Sequence, residues 1–253
     1  MNTKYRHGVA LIVMCLAAAS GGVARAQAPE PGWHFLAAPY AMFPNMKGDV
    51  GLGNLSPVHI DEGPDDIFSN LQMGAMLYLE AHNERWALTS DVLYMDLGAD
   101  ISPGALITGG DAGAKQLGWE LAALVRLTPW LELGVAGTYN KIDSDVRIDT
   151  VANTTLRASL SEDWIDPSVV ARATVPLGEK WFFQGRANLG GFGVGSDHFW
   201  QLQADVGYRH SQRWFFTFGY RYISIDYDHG SGADRFIYDV NSFGPTVKFG
   251  FNF

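Results

Sequence analysis

The last twelve residues of the chain alternate in character with a period of two. Odd positions from Phe243 to Phe253 are apolar, whereas even positions from Ser242 to Asn252 are polar or glycine. Successive side chains of a β-strand point to opposite faces, so this pattern predicts a strand with one apolar face. An apolar sheet face must be covered by a second layer of protein or by lipid.

The same alternation recurs elsewhere in the chain. Leu71 to Leu79, 117–125, 131–139 and 200–208 each place apolar residues on one face and small, polar or charged residues on the other. No segment after residue 26 has the long apolar run of a membrane helix, yet the chain is rich in Gly (29), Trp (8), Tyr (10) and Phe (15). Alternating strands of this composition are typical of a membrane β-barrel.

We predict an all-β chain folded as a transmembrane antiparallel up-and-down β-barrel of about ten strands, eight being the alternative number. The predicted strands are 33–43, 70–81, 86–97, 115–127, 130–142, 165–175, 181–191, 199–209, 213–226 and 237–253. Short connections alternate with long ones, the long ones being 44–69, 98–114, 143–164, 192–198 and 227–236. This asymmetry indicates short periplasmic turns and longer extracellular loops. Residues 64–71 of the first long loop have the pattern of a short helix.

Tryptophan positions favour the same topology. Trp33, Trp86, Trp130, Trp181 and Trp214 each lie near the start of an outward-running strand. Aromatic rings are enriched at the membrane–water interface, where the ring is apolar and its polar tip stays hydrated. The opposite aromatic girdle is predicted to contain Trp119, Trp200, Tyr94, Tyr139 and Phe43.

The N-terminus reads as a secretory signal peptide. Lys4 and Arg6 precede an apolar run from Val9 to Ala19, and Ala24-Arg25-Ala26 fits a small-x-small cleavage site. We therefore divide the chain into a signal peptide, 1–26, and a barrel domain, 27–253. Cleavage would remove Cys15, the only cysteine, and three of the 18 basic residues, leaving 15 against 27 acids and a formal charge of −12. That balance argues against nucleic acid as a partner.

Particular motifs resemble known outer-membrane proteins. The Phe-terminated last strand, with Phe249, Phe251 and Phe253 on one face, is similar to the insertion signal of Gram-negative outer-membrane proteins. The segments Trp164-Ile165-Asp166-Pro167 and Tyr220-Arg221-Tyr222, the latter running on to Gly232, resemble a group of small outer-membrane barrels. The resemblance implies location in the cell outer membrane, contact with its lipids and lipopolysaccharide, and insertion by the barrel-assembly machinery.

Strand parity places ten charged side chains inside the barrel. They are the acids Glu80, Asp91, Glu120, Glu132 and Asp205 and the bases Arg126, Arg172, Arg186, Arg221 and Lys248. Buried charges are tolerated when they are paired, so the equal numbers favour a network of ion pairs that fills the lumen. The alternative is a polar conduit with a charged constriction.

The predicted extracellular loops are acidic. Loop 44–69 carries five acids against Lys47, and loop 143–164 carries five acids against Arg147 and Arg157. Clustered carboxylates could bind divalent cations, but no stretch matches a calcium-loop signature. A solvated surface is the simpler interpretation. We predict no resident metal and no cofactor.

Weak catalytic candidates occur near the last long loop. His229 and Ser231 resemble the histidine–serine pair of outer-membrane lipid A deacylases, with Asp234 or Asp239 to orient the base. Asp197-His198 and Asp228-His229 resemble the acid–histidine pairs of ten-stranded outer-membrane proteases. Turn formation explains the Gly and Ser residues of this segment equally well.

The sequence therefore favours a non-enzymatic barrel with a side-chain-filled lumen, serving envelope integrity or surface binding through acidic extracellular loops. A membrane-embedded rim hydrolase acting on lipid A or peptide is the alternative, and a narrow pore is third.

Overall fold

In the computed structural model, residues 32–54 and 56–253 are described, and the predicted signal peptide lies outside them. Alternating side-chain character yields twelve strands and little helix. The strands are β1 (His34–Met42), β2 (Asn45–Leu52), β3 (Val58–Glu62), β4 (Leu71–His82), β5 (Trp86–Ile101), β6 (Ile107–Arg126), β7 (Leu131–Thr150), β8 (Thr155–Pro176), β9 (Trp181–Gly191), β10 (His198–Arg209), β11 (Trp214–His229) and β12 (Phe236–Asn252). The helix α1 spans Pro64–Ser69, and a 3₁₀ turn spans Gly232–Asp234. None of the helical segments within the described residues is long and apolar enough to cross a membrane.

Ten of the strands close into a barrel. β1 and β4 to β12 pair with their neighbours in chain order, every pair is antiparallel, and β12 pairs back onto β1 from Leu36–Asn252 to Met42–Thr246. The predicted ten-stranded antiparallel barrel is confirmed. Closure removes the unpaired edges that an open sheet would present to lipid.

The last strand is fixed to the first at its very end. The Phe253 N–H donates to the Phe35 carbonyl, the Phe35 N–H donates back to Phe253, and their rings stack 6.0 Å apart. Phe249 and Phe251 both contact the Trp214 ring on the neighbouring strand. The predicted insertion residues therefore lie where the cylinder closes.

The outer face of the barrel is apolar and, within residues 32–54 and 56–253, is not covered by a second layer of protein. Leu121 is 50% exposed, Val135 62% and Leu189 59%. Trp86, Trp130, Trp181 and Trp214 are exposed at the short-turn ends of their strands, and a second aromatic row, including Trp119 and Trp200, lies further toward the extracellular side. An exposed apolar band between two aromatic girdles is the signature of a transmembrane barrel, which belongs to the outer membrane.

The first long connection is not a loop, as the sequence suggested, but mainly a β-hairpin. β2 pairs with the extracellular half of β12, from Asn45–Phe243 to Leu52–Phe236, and β3 pairs back onto β2. α1 then leads into β4, which confirms the short helix predicted in this region. Residues 45–52 do alternate, with Met46, Val50 and Leu52 on one face and Asn45, Lys47 and Asp49 on the other, so strand parity could have indicated this strand.

The predicted loops 98–114 and 143–164 are also mostly strand. β5 continues to Ile101, β6 begins at Ile107, and β7 and β8 run on until only residues 151–154 connect them. The acids Asp143, Asp145 and Asp149 therefore lie on a strand. Above the membrane the outer face of a strand meets water, so the apolar outer face that marks a membrane strand is lost there.

An aromatic cluster closes the extracellular end of the barrel. Trp164 of β8 stacks on Tyr227 of β11 with ring centroids 4.1 Å apart. Phe236, Tyr238 and Val240 of β12 complete its buried part, and further apolar side chains, Leu160, Ile142, Met46 and Val50, pack around it. The extended strands on opposite sides of the mouth therefore share one hydrophobic core.

The ladder between β1 and β4 stops part of the way up the membrane. It runs from His34–His82 to Pro39–Leu77, where proline offers no N–H to continue it. Beyond this point residues 40–44 and 71–76, here called the β1–β4 seam, do not pair with each other. The Met42 N–H donates instead to Met76 Sδ at 3.3 Å. α1 lies beside the seam, with the Phe68 ring 5.3 Å from Phe43.

One residue in this region faces opposite to the sequence expectation. A bulge between Leu71 and Met73 sets Leu71 opposite Leu97 and Met73 opposite Asp96. Leu71 consequently shares the inner face with Gly74, where its Cδ2 would lie 3.5 Å from an added Cβ. A bulge inserts one residue into one strand and so inverts parity on its far side.

The lipid face can be tested by introducing charge. Leu121→Arg places a cation between the two girdles and should lower the free energy of unfolding by about 2–4 kcal/mol in reversible unfolding from lipid vesicles. Leu156→Arg is a matched control, because Leu156 is 56% exposed on a part of β8 above the membrane. Equal effects of the two substitutions would contradict the assignment of the membrane band.

Candidate functional site

The lower part of the lumen contains a connected set of ion pairs. Arg172 on β8 donates from Nη1 to Glu80 Oε2 at 2.5 Å and from Nε to Glu132 Oε2 at 2.6 Å. Arg126 bonds the other oxygen of Glu132, with Nη2 2.9 Å from Oε1. Tyr78 donates its hydroxyl to Glu80 at 2.5 Å. These contacts join β4, β6, β7 and β8 across the tube.

A second set lies nearer the extracellular side. Arg221 on β11 places Nη1 3.1 Å from Asp91 Oδ2 and 3.0 Å from the Tyr40 hydroxyl, which in turn donates to Asp91 at 2.7 Å. Its Nη2 donates to Gln201 Oε1 at 2.8 Å. Arg186 pairs with Glu120, whose other oxygen accepts a hydrogen bond from Asn188 Nδ2 at 2.5 Å.

The last two of the ten predicted charges, Lys248 and Asp205, form the longest ion pair of the set. Lys248 Nζ lies 3.8 Å from Asp205 Oδ2 and 5.5 Å from the ring centroids of Tyr40 and Tyr78. Lys248 thus sits between the two sets, and its ammonium group faces both aromatic rings. The structure brings all ten lumen residues into contact with a partner of opposite charge.

These ion pairs are buried, and burial determines their effect on the stability of the barrel. Arg172, Glu132, Glu120, Asp205, Arg221 and Asp91 are all less than a tenth exposed. A buried charge without its partner is strongly unfavourable, so each pair constrains the strands that carry it. Side chains of opposite strands therefore meet across the lumen.

Several partners of these charges are uncharged polar residues that the sequence did not single out. Tyr40, Asn188 and Gln201 all face inward, and the strand parity that places the charges in the lumen places these residues there too.

Asp166 is the most thoroughly bonded of the missed residues. It is completely buried and accepts hydrogen bonds from Asn140 Nδ2, Trp164 Nε1 and the N–H and hydroxyl of Ser196. Ser196 belongs to the connection between β9 and β10. Asp166 therefore holds that connection against β8, which gives the Trp164-to-Pro167 motif a structural role.

A cavity of about 50 Å³ lies on the extracellular side of the ion pairs. Its lining begins with Asp91, Glu120 and Arg221 and continues outward with Leu93, Phe199 and Ile223. Three buried polar groups of this lining have no hydrogen-bond partner among the described residues: Gln201 Nε2, Arg221 Nε and Thr138 Oγ1. The cavity ends below the aromatic cluster, to which Phe199, Ile225 and Val240 also belong.

The weak catalytic candidates do not form a catalytic arrangement. Within the described residues no hydrogen bond joins the side chains of His229, Ser231 and Asp234, and Ser231 is the exposed N-cap of the 3₁₀ turn. Asp228 is bound by Arg235, whose Nε lies 2.9 Å from Oδ1, and this contact lowers the pKa of the Asp228 carboxyl. A nucleophile needs its base within hydrogen-bond reach, and here each group serves the hairpin turn.

The extracellular acids form one ordered row. His198, Asp226, Asp239, Asp49 and His59 pair directly across β10, β11, β12, β2 and β3. Burial and the neighbouring Asp226 and Asp49 carboxylates raise the pKa of Asp239. His59 Nδ1 is 3.0 Å from Asp49, and His198 Nδ1 is 3.8 Å from Asp226. Over residues 32–54 and 56–253, no group of three or more His, Cys, Asp and Glu side chains has the arrangement of a metal site.

Strand order and the apolar outer face together define a transmembrane β-barrel of the outer-membrane class. No protein-family model matches the chain, and no curated protein matches it. Ail, the attachment invasion locus protein of Yersinia pestis, is 11% identical over 88% of this chain and 99% of its own, with a TM-score of 0.37. The translocator domain of the autotransporter NalP from Neisseria meningitidis is 12% identical over 87% of this chain and 88% of its own, with a TM-score of 0.40. A FadL homologue of Pseudomonas aeruginosa is 8% identical over 87% of this chain and 90% of its own, with a TM-score of 0.35. At these low scores the likenesses add nothing to what the chain's own strands show.

The ion pairs make a prediction about stability. Arg172→Met should lower the free energy of unfolding by about 3–5 kcal/mol, because it leaves Glu80 and Glu132 buried without this cation. Replacing all three together, with Glu80→Gln and Glu132→Gln, should recover much of the loss. Arg147→Met is the control, since its pair with Asp149 is exposed and should contribute less than about 1 kcal/mol. An Arg172→Met protein as stable as the parent in urea titration would contradict the argument.

The carboxylate row makes a prediction about pH. Because the pKa of Asp239 is raised in the folded state, its stabilising contribution is complete below its ordinary pKa and is lost as pH rises through the raised value. Asp239→Asn should therefore stabilise the protein at pH 7, by less than about 1 kcal/mol given its exposure, and the gain should vanish toward pH 4. Asp65→Asn, at the start of α1, is the control. A gain at pH 4 equal to that at pH 7 would contradict the prediction.

Proposed function

We propose that this protein is a non-enzymatic, non-conducting outer-membrane barrel that acts at the cell surface through the strands extending beyond the membrane. The observation that carries the proposal is that two groups of side chains meet inside the lumen. Paired charges fill it within the membrane, and the aromatic cluster around Trp164 and Tyr227 fills it above.

Surface binding is favoured by the clustering of negative charge on the extracellular strands. The row of Asp226, Asp239 and Asp49 places three carboxylates side by side on one face. Like charges directly opposite one another destabilise a sheet, so their presence is better explained by a partner than by folding. A basic surface, or divalent cations that bridge to lipopolysaccharide phosphates, has the complementary chemistry.

The two other candidates have less support. A rim hydrolase would need the His229 and Ser231 side chains to be joined by a hydrogen bond and oriented by an acid. A narrow pore would need a polar path past Arg172 and Arg221. Arg172 is held by two carboxylates, and Arg221 is held by a carboxylate and a tyrosine.

The closed lumen can be tested by electrical recording. In planar bilayers the unmutated protein should give little or no steady conductance, because its charges are paired across the tube. Arg221→Ala should lower stability more than it raises current, since it leaves Asp91 unpaired. A large and stable ion-selective conductance from the unmutated protein would overturn the closed-barrel proposal in favour of a pore.

Surface binding can be tested with a ten-residue lysine peptide and the protein in lipid nanodiscs. Binding should weaken as salt rises and should fall about tenfold when Asp49, Asp226 and Asp239 are all changed to Asn. The control carries the same change at Asp143, Asp145 and Asp149, where Arg147 and Lys141 already compensate part of the charge. Equal losses in the two triple variants would show that the row has no special part in binding.

A further inference from the structure

The β1–β4 seam interrupts the backbone ladder in the outer half of the barrel wall. β1 turns away from β4 after Pro39, and from Tyr40 onward it pairs with β12 alone among the described strands. Opposite, the part of β4 before Leu77 pairs only with β5. Unpaired strand edges are not tolerated against lipid unless they are covered or line a cavity.

A cavity does lie behind the seam. Met42 and Pro44, two seam residues, form part of the cavity lining, and Asp91 and Arg221 bound its periplasmic side. The seam is therefore a place where the lumen approaches the extracellular leaflet without an intervening ladder. Phe43, exposed in the extracellular aromatic girdle, marks this depth.

Three buried polar groups of the cavity-lining residues have no partner among the described residues, and a ligand that accepts hydrogen bonds would complement them. Arg221 holds the Oε1 of Gln201 at 2.8 Å, so the Nε2 of that amide must donate elsewhere. The unpartnered Arg221 Nε is also a donor, and the Thr138 hydroxyl can either donate or accept. All three residues are less than a tenth exposed. The carboxylates of Asp91 and Glu120 are already engaged by Arg221, Tyr40, Arg186 and Asn188.

The dimensions restrict what can enter. A volume of about 50 Å³ has room for on the order of three or four water-sized groups. It therefore suits a compact oxygen-bearing head and not an entire alkyl chain. Outside, the seam presents the small exposed residues Ala41 and Ala75 between the larger Phe43 and Leu77, a shallow track in which one chain could lie.

We propose that the cavity binds the head of a single-chain amphiphile, with a hydroxyl or carboxyl group, which enters through the β1–β4 seam while its alkyl chain stays in the extracellular leaflet. The ion pairs below the cavity make this a site of retention, with no passage to the periplasm. The proposal goes beyond the surface role above, and binding of a basic partner could fail without affecting it.

The test uses the whole barrel in nanodiscs with three 12-carbon probes that carry a photoreactive diazirine near one end. 1-Dodecanol and dodecanoate should label inward residues such as Leu93 and Ile223, whereas dodecane, which lacks a head, should label only outward residues such as Leu77. Labelling by the alcohol alone or by the acid alone would identify the head and support the proposal. Equal inward labelling by dodecane would overturn it.

Variants of the seam separate lateral entry from other routes. Oxidised Ala41→Cys/Ala75→Cys should reduce inward labelling at least tenfold, with recovery on reduction, and Ala41→Trp should act likewise without a crosslink. Ala37→Cys/Leu79→Cys is the matched control, because these residues already pair across the intact ladder. The only native cysteine, Cys15, lies in the predicted signal peptide. Unchanged labelling in both the crosslinked and the tryptophan variant would overturn lateral entry.

A substitution inside the cavity tests the head site. Thr138→Val should lower inward labelling about threefold, because it removes a hydroxyl that bonds the head. Thr217→Val is the control: Thr217 is also buried and unpartnered but is not part of the cavity lining. Retention of heat-modifiable migration by both variants shows that each is folded. Equal labelling by both would overturn the assigned head site.

Discussion

The structure depends on one requirement, that backbone N–H and C=O groups inside a bilayer find partners within the protein. Ten strands meet it by closing on themselves, and the contact between Phe35 and Phe253 completes the ring. Once the cylinder is closed, side chains must divide between lipid and lumen. The period-two alternation, the apolar outer band and the inward charges all follow from that division.

Inside the tube there is a second requirement, because six of the ten charges are less than a tenth exposed and a buried charge must be paired. Arg172 and Arg221 therefore each donate hydrogen bonds to side chains on two other strands. Such pairs contribute less to net stability than to the choice of one arrangement, since apolar packing of equal volume would do as well. We infer that they fix which residues occupy the lumen, and hence that it is closed.

Strand parity predicted most of the membrane part of the fold, because one residue of slip would expose every charge to lipid. Strand parity failed outside the membrane, where a slip in register exposes no charge to lipid. Asp143, Asp145 and Asp149 were placed in a loop although they lie on β7, since outward residues above the membrane meet water and the apolar outer face is lost. Leu71 was placed on the wrong face because a bulge leaves no mark in hydrophobicity. The inward charges could be predicted from sequence, whereas the Gln201 amide and the Thr138 hydroxyl gained meaning only once the cavity joined them.

The aromatic cluster of Trp164, Tyr227, Phe236 and Tyr238 lies in the part of the barrel that water surrounds, whereas lipid surrounds the strands below it. Within the membrane, apolar side chains remain in hydrocarbon whether or not they pack, so burial there brings no hydration gain. Above the membrane, the cluster is withdrawn from water like the core of a soluble sandwich, with the large heat-capacity change that such burial carries. Cooling therefore weakens the extracellular half while the hydrogen-bonded cylinder beneath it is little affected, and the mouth of the barrel is its cold-sensitive part.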